Sequence, residues 1–204
     1  MIKYVSILFL MIGLCYSQNV TGGSTQIHGS MNKALSQDGA TNNITYVSQG
    51  HHEVHEGRHF MLHGWSALGN GDTLMYVFST PNTTRWSHML FDFTSSGIIE
   101  SRVQETCTVT LLDTIIPPNN NRNSSKLSVN FVGITSTDSV SSFGTCMDSV
   151  KVGSSGGSKF GGSISRDNEI IFKQNTTYIY MFISGSASNI ITHKHDWYEL
   201  IDKN

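Results

Sequence analysis

The sequence predicts an all-β fold, a two-sheet β-sandwich most simply built as a jelly roll. Short apolar or alternating stretches recur along the chain, parted by turns rich in Gly, Asn, Ser and Pro. Outside the first residues no helical period alternates with them, which argues against a parallel α/β sheet. Residues 177–184 supply the third observation. Tyr178, Tyr180 and Phe182 alternate with Ile179, Met181 and Ile183, so both faces of one strand are apolar, as an inner strand of stacked sheets requires. A closed up-and-down barrel is the second architecture this pattern allows, and no internal repeat of fixed period is visible.

The elements follow in order. Met1-Ile2-Lys3-Tyr4 carries one positive charge and leads into an apolar run over residues 5–14. Cys15-Tyr16-Ser17 then places small residues at −3 and −1 of a cut before Gln18. Residues 1–17 therefore read as a secretory signal-like segment, too short to span a membrane, which takes about 20 apolar residues. Residues 18–49 are polar and Gly/Ser/Asn-rich without a sustained period, and read as a flexible arm. The sandwich domain is expected over residues 50–204.

Strands are predicted from residue 60 (60–65), then over 73–79, 86–93, 98–104 and 107–112. A weaker one follows at 127–132, and 169–172, 177–184 and 189–200 complete the set. Leu68-Gly69-Asn70-Gly71-Asp72 is a turn of residues that tolerate positive φ. Pro117-Pro118-Asn119-Asn120-Asn121 admits only a loop, and residues 153–158 are too Gly-rich for regular structure. The expected core includes Met89, Phe91, Phe93, Ile179, Met181 and Ile183, with part of the Tyr178-Tyr180-Phe182 face. No helix is expected after the signal-like segment.

Composition narrows the function. With 204 residues, 38% hydrophobic, the chain can bury one domain core. Only 14% are charged, with a net charge of −2, which excludes the basic footprint of a nucleic-acid partner. After export Cys107 and Cys146 would be the remaining cysteines, as a disulfide or as two thiols in strands.

Two histidine groups invite a metal reading. His51, His52, His55, His59 and His63 are five of the nine histidines. The i, i+4, i+8 set His51, His55, His59 would line one helix face, but Gly50 and Gly57 argue against a helix there. In a strand each step of four spans about 13 Å, too far to converge on one ion. The expectation is polar histidines at a strand entrance or subunit contact. At the other end, His193-Lys194-His195-Asp196-Trp197-Tyr198-Glu199 has a His-x-His-x-x-x-Glu core that resembles the first metal motif of cupins. His193, His195 and Glu199 share a strand face. The later cupin histidine and the flanking glycines are absent, so a terminal strand anchored by Trp197 and Tyr198 is the favoured reading. No metal, cofactor or catalytic residue is assigned. No Gly-x-Ser-x-Gly elbow is present, nothing sets the separation of Glu100 and Glu105 for glycoside hydrolysis, and residues 153–162 lack the Lys-Ser/Thr of a phosphate cradle. Asn-x-Ser/Thr triplets begin at Asn19, Asn43, Asn82, Asn123 and Asn175, about as many as chance gives in such a chain.

Several segments, taken in order, resemble a known family. They are His52-Glu53-Val54-His55-Glu56-Gly57-Arg58-His59-Phe60, Leu68-Gly69-Asn70-Gly71-Asp72-Thr73-Leu74 and Thr80-Pro81-Asn82-Thr83-Thr84-Arg85-Trp86-Ser87-His88-Met89. Asn119-Asn120-Asn121-Arg122-Asn123-Ser124 follows, then Lys173-Gln174-Asn175-Thr176-Thr177-Tyr178, Ser188-Asn189-Ile190 and Trp197-Tyr198-Glu199. The set is similar to tailed-phage virion structural proteins, head-decoration or capsid-associated β-sandwiches of phages and prophages. It spans roughly residues 51–199. The resemblance implies a non-enzymatic module on the virion surface, assembled as a dimer or trimer on the capsid, with host-surface glycans as a further partner. It brings no catalytic residues with it. The export-like segment 1–17 departs from that family and leaves an alternative, a secreted or cell-surface carbohydrate-binding β-sandwich. A cupin-like metalloprotein is the third reading. Trp65, Trp86 and Trp197 are candidates for an exposed aromatic patch or for core.

Overall fold

A strand with two apolar faces needs a layer on each side, and the fold is organised around that need. The computed structural model describes residues 49–153, 160–163 and 169–201, together with β1 (Ile27–His28), β2 (Ala34–Gln37) and β3 (Ile44–Thr45). The chain divides into two units, 1–48 and 49–204. In the first, β1, β2 and β3 form an antiparallel sheet in that order. The signal-like segment 1–17 and residues 154–159 of the Gly-rich loop lie outside the described residues, as do the parts of the arm between those strands.

The second unit begins with helix α1 (Gln49–His55), followed by β4 (His59–Leu68), β5 (Thr73–Ser79), β6 (Arg85–Ser95) and β7 (Ile99–Glu105). Next come β8 (Thr108–Val109), β9 (Asp113–Ile115), β10 (Phe131–Thr135), a 3-10 turn (Thr137–Ser139), β11 (Val140–Ser142) and β12 (Thr145–Val152). β13 (Phe160–Ser163), β14 (Ile170–Phe172), β15 (Thr177–Ser184) and β16 (Asn189–Ile201) close the chain.

Two antiparallel sheets stack. One runs β12-β7-β15-β5-β10-β9; the other runs β6-β16-β4, with β13 and β14 both paired to the free side of β6. The first long strand therefore pairs with the last, β4 with β16, and the second with the second-last, β5 with β15. β6 and β7 take the other sides of β16 and β15. This is the wrapped-hairpin pairing of a jelly roll, extended by β10 and β9 on the outer side of β5.

The main core fills the space between the sheets. Tyr76 and Phe78 of β5, with Tyr178, Tyr180 and Phe182 of β15, face Met89, Phe91 and Phe93 of β6, Phe60 of β4 and Trp197 of β16. Phe172 lies face to face with Tyr178, centroids 3.7 Å apart, and Tyr180 stacks on Phe91 at 4.4 Å. The opposite face of the six-stranded sheet has its own core of Met75, Val77, Cys107, Ile179 and Met181. The small β8–β11 ribbon and its flanks cover it through Val109, Leu111, Val140 and Phe143. Both apolar faces of β15 are thus buried, one by each layer.

Three expectations need correction. Residues 107–112 do not form one strand. Thr106 turns at φ +62°, the chain leaves the ladder after Cys107 N–H donates to Thr177 O, and the segment becomes the cover over Met75 and Ile179. The weak strand at 127–132 is displaced to Phe131–Thr135, because Glu199 holds Ser128 and Val129 outside the sheet. The third concerns helix: residues 49–55 form α1.

Phe91 meets Phe78 and Tyr180 across the seam and Phe172 and His195 within its own sheet. Phe91→Ala should cost about 3–5 kcal/mol in urea unfolding, from lost transfer energy and a residual cavity.

Candidate functional site

The histidine-rich stretch 51–63 folds as a helix end clasped by a distant loop. Glycine at both ends makes α1 a poor helix by propensity, yet Gly57 is what terminates it. At φ +66° it takes the left-handed C′ position; its N–H donates to Val54 O (3.0 Å) and Arg58 N–H to Glu53 O (2.9 Å), a Schellman motif. The last carbonyls are then capped from the loop after Pro118. Asn121 Nδ2 donates to His55 O (3.1 Å), Lys126 Nζ to Glu56 O (2.6 Å) and Asn119 Nδ2 to Gly57 O (2.9 Å). The loop is itself braced: Asn121 N–H donates to Asn119 Oδ1 and Asn123 N–H to Asn121 Oδ1. It also pairs with the start of β4 through Asn120 N–H to His59 O and Met61 N–H to Pro118 O. Tertiary docking supplies what propensity lacks.

The i, i+4, i+8 histidines are split by this geometry. His51 and His55 meet on the exposed helix face with Nε2 atoms 2.9 Å apart. His59 belongs to β4 and stacks on Tyr198, which also stacks on His88 at 4.8 Å. His63 Nε2 donates to Asp196 Oδ1 at 3.0 Å on the same outer sheet face. Among the described residues no group of three or more His, Cys, Asp or Glu side chains is placed to hold one metal ion.

The C-terminal His-x-His-x-x-x-Glu set does share a face, the inner face of β16, and is buried. It does not converge. Glu199 accepts from Ser128 Oγ (2.6 Å), Val129 N–H (3.0 Å) and the Trp197 indole N–H (3.4 Å), so its carboxylate anchors the strand after the clasp loop. Burial outweighs these bonds and raises the Glu199 pKa. His193 Nε2 is 2.8 Å from the Tyr76 hydroxyl across the seam. Its pKa is pushed down to about 4, chiefly by burial and further by His63. His195 has no hydrogen-bond partner on either ring nitrogen and is held well below the usual histidine range, again mainly by burial.

The remaining candidates scatter. Glu100 and Glu105 lie on opposite faces of β7, the first paired with Arg102, the second with Lys173 Nζ (2.7 Å) and the Tyr178 hydroxyl (3.0 Å). Both pKa values are lowered, first by the hydrogen bonds from Arg102 and Lys173 respectively. Cys107 is buried, its thiol pushed up to about 11 by burial, and Cys146 is exposed on β12; both are free. The tryptophans separate cleanly: Trp197 is core, Trp86 is half-buried and Trp65 is 71% exposed in the middle of β4. Sequence reasoning missed the seam residues Tyr76 and Gly64. A Cβ on Gly64 would come within 3.0 Å of His193 Nε2, so this glycine makes room for the ring. No signal short of the β4–β16 register, which sets Gly64 opposite His193, could have found it. No protein-family model matches this chain, and no curated protein matches it.

A Cβ at Gly57 would lie 2.2 Å from Ser124 Oγ and 2.7 Å from its Cβ, whereas at Gly71 (φ +86°) it would meet nothing within 4 Å. Gly71→Ala should therefore cost about 1 kcal/mol of backbone strain, and Gly57→Ala about 2–4 kcal/mol through strain plus loss of the clasp. Paired urea titrations check the difference. Chelation with EDTA should leave the melting temperature unchanged, measured by differential scanning fluorimetry.

Proposed function

We propose that this chain is a non-enzymatic structural protein of a tailed-phage virion, a capsid-decoration or head-fibre module that binds the shell and copies of itself at the particle surface. The observation that carries the reading is the use to which its family-like motif residues are put: they form joints between elements. Residues 52–60 and 119–124 make the clasp on α1. In the 68–74 turn Asp72 Oδ2 accepts from Gly69 N–H at 2.7 Å. Thr80 Oγ1 donates to Lys173 O (2.6 Å) and Thr176 O (3.1 Å), Asn175 N–H donates to Pro81 O (3.4 Å), and Gln174 Nε2 donates to Thr83 O, closing the 80–85 segment onto 173–176. Asn189 Oδ1 accepts from Ser95 Oγ at 2.9 Å, and Glu199 anchors residues 128–129. Polar residues spent in this way suit a durable module whose work is to keep a shape and present a surface.

That surface includes the outer face of the β6-β16-β4 sheet, where Trp65 projects with Ile190, Thr192 and Thr94 beside it. Repetition on a lattice lets individually weak contacts of this kind hold through multivalency. The exposed Trp65 ring also favours a second reading, a secreted or cell-surface glycan binder exported through residues 1–17.

Light scattering should find a dimer or trimer, and the protein should co-sediment with capsid shells lacking it. Trp65→Ala should weaken that binding about 30-fold, as for a central aromatic anchor. A strict monomer that ignores shells but binds on a glycan array would transfer the assignment to the second reading.

A further inference from the structure

The two imidazoles on the inner face of β16 are the polar groups in the sandwich that its architecture leaves least provided for. His195 is fully buried, and its ring is enclosed by Tyr76 and Phe78 of β5, Phe91 of β6, and Tyr180 and Phe182 of β15, with His193 5.0 Å away along its own strand. Side chains of both sheets therefore close over it. Neither of its nitrogens has a hydrogen-bond partner, nor does Nδ1 of His193. The rings of Tyr180 and Phe91 lie nearly perpendicular to it, at 84° and 82°, contacts that soften that cost without supplying a carboxylate or carbonyl oxygen for a charged ring. A polar tie across this part of the seam joins His193 of one sheet to Tyr76 of the other.

We propose that His193 and His195 form an acid-sensitive latch between the two sheets: neutral, they seal the seam, and mild acidification favours an opened seam in which both imidazoles reach water and take up protons. The groups facing them make the direction unambiguous. β5 contributes the Tyr76 phenol, whose pKa burial raises to about 12, and β15 contributes Tyr180, raised by burial and bonded to Ser101 of β7. Both stay neutral and neither can balance a positive charge. β6 presents Phe91 and Phe93, and β4 presents Gly64, with His63 beyond it adding repulsion. The charged side chains of β16 at this level, Lys194 and Asp196, point to the outer face, where Asp196 is taken by His63. The carboxylates of Asp92 and Asp148 act on the Tyr180 hydroxyl and help to raise its pKa. Among the described residues no carboxylate is bonded to either ring.

The sign follows from linkage. Both histidines have folded pKa values below the unfolded value of about 6.5, so their contribution is fully present above that pH and is lost as pH falls below it, for His193 down to about 4. Glu199 acts oppositely: its raised pKa makes the folded state gain as pH falls through that range. Glu100 and Glu105, with lowered values, lose their contribution only below the ordinary carboxylate range of about 4.5, outside the window of the latch.

The proposal stands independently of the virion reading. The full chain, free of any particle, is followed from pH 7.5 to 5 by urea unfolding, near- and far-UV circular dichroism and binding of an apolar dye. The wild type should lose up to about 1,000-fold in folding equilibrium constant, each histidine passing about 1.5 pH units at tenfold per unit, reduced by the opposing Glu199. Near-UV signal should fall and dye binding rise while the far-UV β signal persists. His195→Phe, or His195→Gln should the first fail to fold, should reduce the loss by about 30-fold, and His193→Phe/His195→Phe should abolish it; His63→Gln should retain most of it. An unchanged pH response in the His195 variants, or loss of near- and far-UV signals together, would overturn the latch.

Discussion

The closure of two antiparallel sheets over a continuous aromatic seam is the constraint from which the other features descend. β15 and β5 must be covered on both faces, since each is apolar on both. The β6-β16-β4 sheet covers one side, and that closure brings Tyr180 against Phe91, Phe182 against Phe93 and Phe78 against Trp197. The other side is left with Met75, Val77, Ile179 and Met181 facing outward, and the chain between β7 and β12 folds back as a ribbon over them. The third layer exists because the middle strands are too apolar for a two-layer protein. The same closure fixes register: a one-residue slip of β16 would send Trp197 to solvent and Lys194 into the core.

What was legible in the sequence follows from this layering. β5 and β15 match the predicted spans 73–79 and 177–184 because continuous apolar runs bounded by turn residues leave little freedom. β6 was legible through strict alternation of Met89, Phe91 and Phe93 with polar neighbours. β12 was not. Its residues are nearly all accessible, it pairs along one edge with a bulge at Met147, and an edge strand without a buried face has no period to read. Helix α1 was illegible for the opposite reason: its stability comes from Asn119, Asn121 and Lys126, which donate across more than sixty residues of intervening chain. Gly57, which looked like a breaker, is the cap.

The polar motifs show a related limit. A stretch such as His52-Glu53-Val54-His55-Glu56-Gly57-Arg58-His59 invites a chemical reading because its residue types can bind metals and move protons. In the folded chain its carbonyls matter as much as its side chains, for they are the acceptors that the asparagine loop satisfies. At the other end of the chain, the prediction that His193, His195 and Glu199 share a face was correct. The distance along that face separates them into two environments: a carboxylate with three donors, and imidazoles in an aromatic cage.

Those two environments pull stability in opposite directions along one strand. Glu199 is buried yet well bonded, and burial favours its neutral form over the pull of those bonds, so acid adds to its net contribution to the folded state. His193 and His195 are buried where only their neutral forms are tolerable, and acid converts both. Two phenylalanines of similar size would fill the same space without leaving nitrogens unpaired, so packing gives no reason for imidazoles at these positions. Nor does crossing the seam by hydrogen bond, since His193 alone makes one and His195 makes none. Their distinguishing property is that the cage holds them neutral while the released rings would take up protons just below neutrality, so acid favours parting the sheets where they meet.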